Sequence, residues 1–404
     1  MVQQVVIAPA ASVHKQTSYR IEAIDLLRGI VMVLMALDHT RDFFHITAFT
    51  DDPLNLATTT PLLFFTRWIT HFCAPVFVFL SGASIYLQSL RKRRAELSSF
   101  LLKRGLWLVF VEVVVISFAL TFDPGYHVIF LQVIWAIGIS MILLAAVIWL
   151  PFYAILALGL VIVFGHNLLD YFQLNNPGPY SALYSLLHVP GGFPITRGHS
   201  VGVLYPFLPW TGIMMLGYCF GRFYKKHAGN SDQITIALGA VVLLIFLVLR
   251  AINLYGDPLH WSTQKNLLYT IFSFVDTQKY PPSLLYSCMT LGPAIIFLGL
   301  TGRSQNAVSR IFIVFGRVPF FYYVLHFYII HSLSMILFLA RGHKWEEGMG
   351  TGSGVPFKFI LPGEGYNLAI VYLIWILLVI TLYPLCKWFN NYKMAHRNEW
   401  LSYL

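Results

Sequence analysis

Charge is what this sequence has least of. Asp, Glu, Lys and Arg make up 11% of its 404 residues, against about a quarter in an ordinary soluble domain, while 57% are hydrophobic. So few charges cannot cover the surface of a soluble core this apolar, and a disordered tail is excluded too. Cysteine is nearly as scarce: Cys73, Cys219, Cys288 and Cys386 lie in or beside apolar runs with no CxxC spacing. That excludes a secreted disulfide scaffold and leaves buried free thiols. No HExxH or comparable ligand spacing occurs, so no metal is expected. The start of the chain lacks a signal peptide's order of charge before apolar run, since Lys15 and Arg20 follow the short apolar patch. Present in abundance are 33 Phe, 22 Tyr and 10 Trp, bulk suited to lipid and to its interfaces. The net charge of +10 comes in short clusters between apolar runs, such as Arg91 to Arg94. That pattern reports membrane orientation rather than nucleic-acid binding. The sequence reads as an all-α, polytopic membrane protein.

A hydrocarbon core of about 30 Å needs roughly 20 helical residues. Ten runs meet that need: 26–44, 70–90, 105–122, 128–149, 151–167, 204–224, 234–254, 280–300, 318–340 and 366–389. Pro151 separates the fourth from the fifth, and the apolar stretch 61–71 is expected as an interfacial or re-entrant helix. With both termini cytoplasmic, 18 of the 27 Lys and Arg fall inside, as the positive-inside rule asks. The expected organisation is a cytoplasmic tail over 1–19, one transmembrane domain over 20–395 and a second tail over 396–404. Outer segments 168–203, 255–279 and 341–365 are long and rich in Gly, Pro and aromatics, as in Asn176-Pro-Gly-Pro-Tyr180, and are expected to form lids. No internal repeat is evident, against an inverted-repeat transporter.

Ionisable groups inside spans are costly and mark function. The first span begins with Asp25 and Arg28 and ends with Asp38, His39, Arg41, Asp42 and His45. His39 stands about 14 residues into the span, roughly 20 Å up, within the outer leaflet. Its i,i+3 spacing to Asp42, and the i,i+4 spacing of Asp38 and Asp42, allow a carboxylate to orient an imidazole. The plainer account is a solvated helix end with local ion pairs. His71 enters the second span from outside at a matching depth, followed by Pro75 and the small residues Ser81-Gly82-Ala83-Ser84 that admit a close neighbour. Glu112, Gln132, His326 and His331 are further polar points within spans, and Arg317 stands at an inner mouth.

Three stretches carry a family resemblance. Arg20-Ile-Glu-Ala-Ile-Asp25-Leu-Leu-Arg28-Gly29, then Asp38-His39, then His71-Phe-Cys-Ala-Pro75-Val-Phe-Val-Phe-Leu-Ser-Gly82 together resemble the opening of a bacterial domain family. That family is similar to the catalytic domain of heparan-alpha-glucosaminide N-acetyltransferase, within the transmembrane acyltransferases. Leu131-Gln-Val-Ile-Trp-Ala-Ile-Gly138, Tyr205-Pro-Phe-Leu-Pro-Trp210-Thr-Gly212 and Gly316-Arg317-Val-Pro319 extend the likeness over most of the chain. The resemblance implies a ten-helix acyltransferase of the inner membrane that moves an acetyl group from cytoplasmic acetyl-CoA to a sugar or glycan on the far side. In the animal enzyme an asparagine near the end of the first span and a histidine shortly after it are tied to catalysis. His39 stands in the asparagine's place, and His45 is nearest by order to the histidine.

That chemistry needs a base and donors for an oxyanion. His39 or His71 can be the base, Asp38 or Asp42 its orienter, and His45 a rival. Arg28, Arg317 and Arg222 can hold the CoA phosphates. Membrane lipid and a glycan acceptor are the expected partners, nucleic acid is not, and a homodimer is compatible. A proton-coupled transporter or lipid flippase would also use intramembrane His, Asp and Glu, and a non-catalytic scaffold would use them for packing.

Overall fold

Backbone amides and carbonyls find no water inside a bilayer, so an apolar run long enough to cross one folds as helix. The computed structural model describes residues 22–171, 179–227, 232–301, 306–350, 355–396, 398 and 401. The tail expected at 1–19, most of that at 396–404, Arg20, Arg303 and residues 176–178 lie outside the described residues. Each of the ten apolar runs carries a helix. The helices are α1 (Glu22–Phe44), α2 (Pro61–Ile69), α3 (Cys73–Ser89), α4 (Arg94–Val111), α5 (Ser117–Thr121), α6 (Val133–Val147), α7 (Phe152–Gly165) and α8 (Pro179–Leu187). They continue as α9 (Phe207–His227), α10 (Gln233–Ile252), α11 (Leu267–Val275), α12 (Leu284–Leu300), α13 (Ala307–Arg317), α14 (Pro319–Ala340), α15 (Trp345–Met349) and α16 (Leu368–Ala395). Six helical stretches among the described residues are long and apolar enough to cross a membrane: 61–89, 94–121, 152–171, 233–252, 319–340 and 368–395. The protein is an integral membrane protein, mostly helical. α1 misses that test because ionisable residues crowd both its ends.

Three local details differ from expectation. The stretch 61–71 is no separate interfacial element: α2 runs through a 3-10 turn, Thr70–Phe72, into α3 as one 29-residue stretch. The fourth run is helical only from Val133, because Val128–Leu131 forms strand β1. β1 pairs in parallel with β3 (His199–Val203), which pairs antiparallel with β2 (Gly191–Thr196), so a small sheet joins the otherwise helical fold. Glu112 explains why α6 starts where it does. It opens a π-helical turn, Glu112–Ile116, and its carboxylate accepts the backbone amides of Gln132 and Trp135 at 3.2 and 3.0 Å. The buried acid satisfies the free amides of a helix start. Pro151 divides α6 from α7 as expected.

Small residues decide which helices touch. A Cβ on Gly29 would meet the Phe312 carbonyl, and one on Gly316 the Asp25 carbonyl, so α1 and α13 approach backbone to backbone. Gly82 stands likewise against the Met214 carbonyl and Gly217 against that of Phe79, joining α3 to α9. α1 is thereby held among α3, α13, α14 and α16, with its polar end facing the elements that complete the site.

Candidate functional site

The outer end of α1 brings four segments together. Asp38 is 6% exposed, and its two oxygens lie between three cations. Arg41, one turn on, reaches Oδ1 at 3.2 Å; Arg67 of α2 reaches Oδ2 at 2.5 Å; the Lys279 ammonium stands 3.8 Å from Oδ2. Asp42 takes a second bond from Arg41 at 2.5 Å. No carboxylate orients an imidazole here, contrary to the spacing argument, because arginines on α1 and α2 claim both acids. Charge–charge attraction in a desolvated site outcompetes a neutral ring.

The partner of His39 is another histidine. Its Nδ1 lies 2.7 Å from Nε2 of His326 on α14, and its ring stacks on Phe327 at 4.3 Å. Nδ1 of His326 lies 3.2 Å from the Tyr322 carbonyl, which can only accept. His326 therefore carries its proton on Nδ1 and accepts on Nε2. Nδ1 of His39 must then be the donor, so its Nε2 is left with a free lone pair on a ring that is only half-buried. Sequence spacing could not pair these residues, although both were visible as ionisable groups within apolar runs.

His71 belongs to the same neighbourhood, within electrostatic reach of Asp38, Arg67, Arg41 and Lys279. Its ring is 1% exposed, its Nδ1 has no hydrogen-bond partner, and Tyr286 donates to its carbonyl at 2.7 Å. His45 stands apart. Its Nδ1 lies 2.9 Å from the Thr47 hydroxyl, its backbone bridges to Tyr366, and burial, then Arg41, holds its imidazole below the usual value. His331 is a clamp, its nitrogens 2.9 and 2.8 Å from the carbonyls of Ala119 and Lys358. Arg67 and Lys279 were not singled out from the sequence. The available signal was that each is a cation on the side where the positive-inside rule makes cations rare.

At the other end of α1, Arg28 donates to Ser84 at 2.8 Å and pairs with Asp25 at 3.3 Å. Arg317 pairs with Glu22 at 3.3 Å and stands 3.7 Å from Asp25. Asp25 thus joins two of the three expected phosphate ligands and offsets part of their charge. Arg222 is elsewhere, its guanidinium over the Phe152 ring at 4.3 Å.

This combination of a charged inner end and a histidine-bearing outer end on one helix sits within a recognised sequence pattern. The profile of the family described as "Heparan-alpha-glucosaminide N-acetyltransferase, catalytic" matches residues 20–255, more than half of the chain. The chain belongs to that family. The match covers α1 through α10 and so includes Asp25, Arg28, Asp38, His39, Arg67 and His71, whereas Lys279, Arg317 and His326 lie beyond it. No curated protein matches the chain. Membership of this heparan-alpha-glucosaminide N-acetyltransferase family points to a membrane acetyltransferase.

Proposed function

We propose that the protein transfers an acetyl group from cytoplasmic acetyl-CoA to an amine or hydroxyl of a sugar or glycan on the outer face of the inner membrane. The observation that carries this reading is the free Nε2 of His39, the nitrogen left over by the bonds through His326 to the Tyr322 carbonyl. That nitrogen takes the acceptor's proton as the acceptor attacks the thioester carbonyl carbon. The resulting oxyanion gains from the positive charge of Lys279 and Arg67. Collapse breaks the carbon–sulfur bond, and the His39 imidazolium returns its proton to the departing thiolate. Atoms and charge then balance as acetylated acceptor plus CoA. Asp38 is a positioning residue in this scheme, since it holds Arg67 and Lys279 beside the rings. Arg28 and Arg317 meet the CoA phosphates at the inner end, sharing their charge with Asp25 and Glu22. The reading includes ten crossings with both termini cytoplasmic, supported by the 18 of 27 basic residues that fall inside.

Purified protein given labelled acetyl-CoA and an amino-sugar or glycan fraction tests this. His39→Ala is expected to lower turnover roughly 100- to 10,000-fold, the scale of a lost general base, with CoA affinity unchanged. Turnover at the wild-type rate would remove His39 from this role. Failure of the wild type to release CoA with any outer-envelope acceptor would overturn the transferase reading itself.

A further inference from the structure

A second polar feature lies far from the outer histidines. Where the end of α3, the start of α4, the α6–α7 turn and α9 meet, a cavity of about 210 Å³ is lined by Ser89, Lys92, Arg94, Leu150, Phe152 and Tyr218, with further aliphatic side chains as floor. Its two halves differ chemically. One side presents Lys92 and Arg94, and Arg222 adds a third cation over the outer surface of Phe152. Among the described residues none of these three forms an ion pair, whereas Arg28 and Arg317 are both matched by carboxylates. The other side is apolar: Leu97, Ile148 and Ile155 are buried in its floor, and Leu150 is 43% exposed at its edge. Trp149 and Tyr153, which flank this edge in sequence, are 53% and 75% exposed. Aromatic side chains at such a position are those of a membrane–water interface.

We propose that this cavity is a binding site for an acidic phospholipid of the inner leaflet. The phosphodiester sits against Lys92 and Arg94, and the start of one acyl chain runs over Leu150 and Phe152 into the bilayer. Unpaired cations beside an apolar wall suit a ligand that is anionic at one end and hydrocarbon at the other. Phosphate ester is the recognised chemistry, and the nucleotide end of CoA offers it too. The edge formed by Leu150, Trp149 and Tyr153 favours the lipid, because a water-soluble nucleotide gains nothing from a bilayer-facing entrance.

The test uses full-length protein in phosphatidylcholine nanodiscs, titrated with short-chain phosphatidylglycerol and separately with CoA, and read by native mass spectrometry. Wild type is expected to retain phosphatidylglycerol in preference to phosphatidylcholine. The double variant Lys92→Gln/Arg94→Gln is expected to bind it about 10- to 30-fold more weakly, the scale of two lost interfacial cations, with CoA affinity unchanged. Equal retention of the two lipids by wild type, or equal phosphatidylglycerol affinity in wild type and variant, would overturn the site. A fall in CoA affinity with lipid binding intact would assign the cavity to the nucleotide and overturn the lipid proposal as well. CoA failing to displace bound phosphatidylglycerol from wild type supports the lipid assignment without any variant.

Discussion

Asp38 shows how a single residue can be prominent in a sequence and misleading about its role. Its place beside His39 suggested an orienting carboxylate, yet its oxygens hold Arg41, Arg67 and Lys279 instead. Replacing it by Asn leaves three cations around one carboxylate, Asp42, whose side chain is 40% exposed. The expected cost is about 3–5 kcal/mol, the scale of breaking a buried ion pair by removing one partner. Asp42→Asn should cost below about 1 kcal/mol, because a half-exposed pair is screened by solvent. Thermal unfolding in detergent checks both, and equal midpoints for the two variants would contradict this account. The positions of the acids and histidines were legible, because ionisable groups stand out in apolar runs. Their partners were not. Periodicity relates residues three or four apart, whereas His39 and His326 are separated by 287 positions and meet only through packing.

Among the elements, the outer segment between α10 and α12 depends on one side chain. Arg250, at the end of α10, is 1% exposed and donates to the carbonyls of Phe274, Leu259, Ser273 and Asp276 at 2.8, 2.5, 2.9 and 2.5 Å. It winds this segment into shape, and the segment delivers Lys279 to Asp38. Arg250→Leu leaves four carbonyls short of a donor and is expected to cost roughly 3 kcal/mol or more, read as a lower unfolding midpoint. The lid character of 255–279 was legible from its length and aromatics, but its winding about a buried arginine was not, since nothing local distinguishes Arg250 from an interfacial cation. The same segment carries a pH dependence. Burial first, then Asp52 and Asp257, pushes the Asp276 carboxyl up to about 7. An unfolded chain titrates it near 3.9. Between those values the folded protein binds the extra proton, so this contribution to stability falls as pH rises from about 4 to about 7. Asp276→Asn removes that slope and should be more stable than wild type near pH 8 while differing little near pH 4. Unfolding midpoints at the two pH values decide it, and an unchanged slope in the variant would contradict the assignment.

At the scale of the whole molecule, the hydropathy pattern and the basic clusters carried the helical architecture, since a bilayer imposes helix on long apolar runs. They missed the small sheet because β1 is an apolar stretch continuous with α6. A chain stripped of its four buried cysteines and given one reporter cysteine is expected to label from the cytoplasmic side at Ser99. Placed at Ser262, the reporter should label from outside, as the 18 of 27 basic residues on inner segments require. Labelling of both positions from one side would break the ten-crossing topology. The way the outer site is assembled also bears on its birth at the ribosome. Asp38 and Arg41 emerge one turn apart and enter the membrane as a self-neutralised pair, and Arg67 joins them 29 residues after Asp38. Lys279 and then His326 are translated only in the last third of the chain. Until α14 is in place, His39 has no acceptor for its Nδ1 proton, and either ring nitrogen is free to hold it. A half-made protein is thus chemically mute, and a premature stop anywhere before His326 yields a membrane-bound fragment without the imidazole pair.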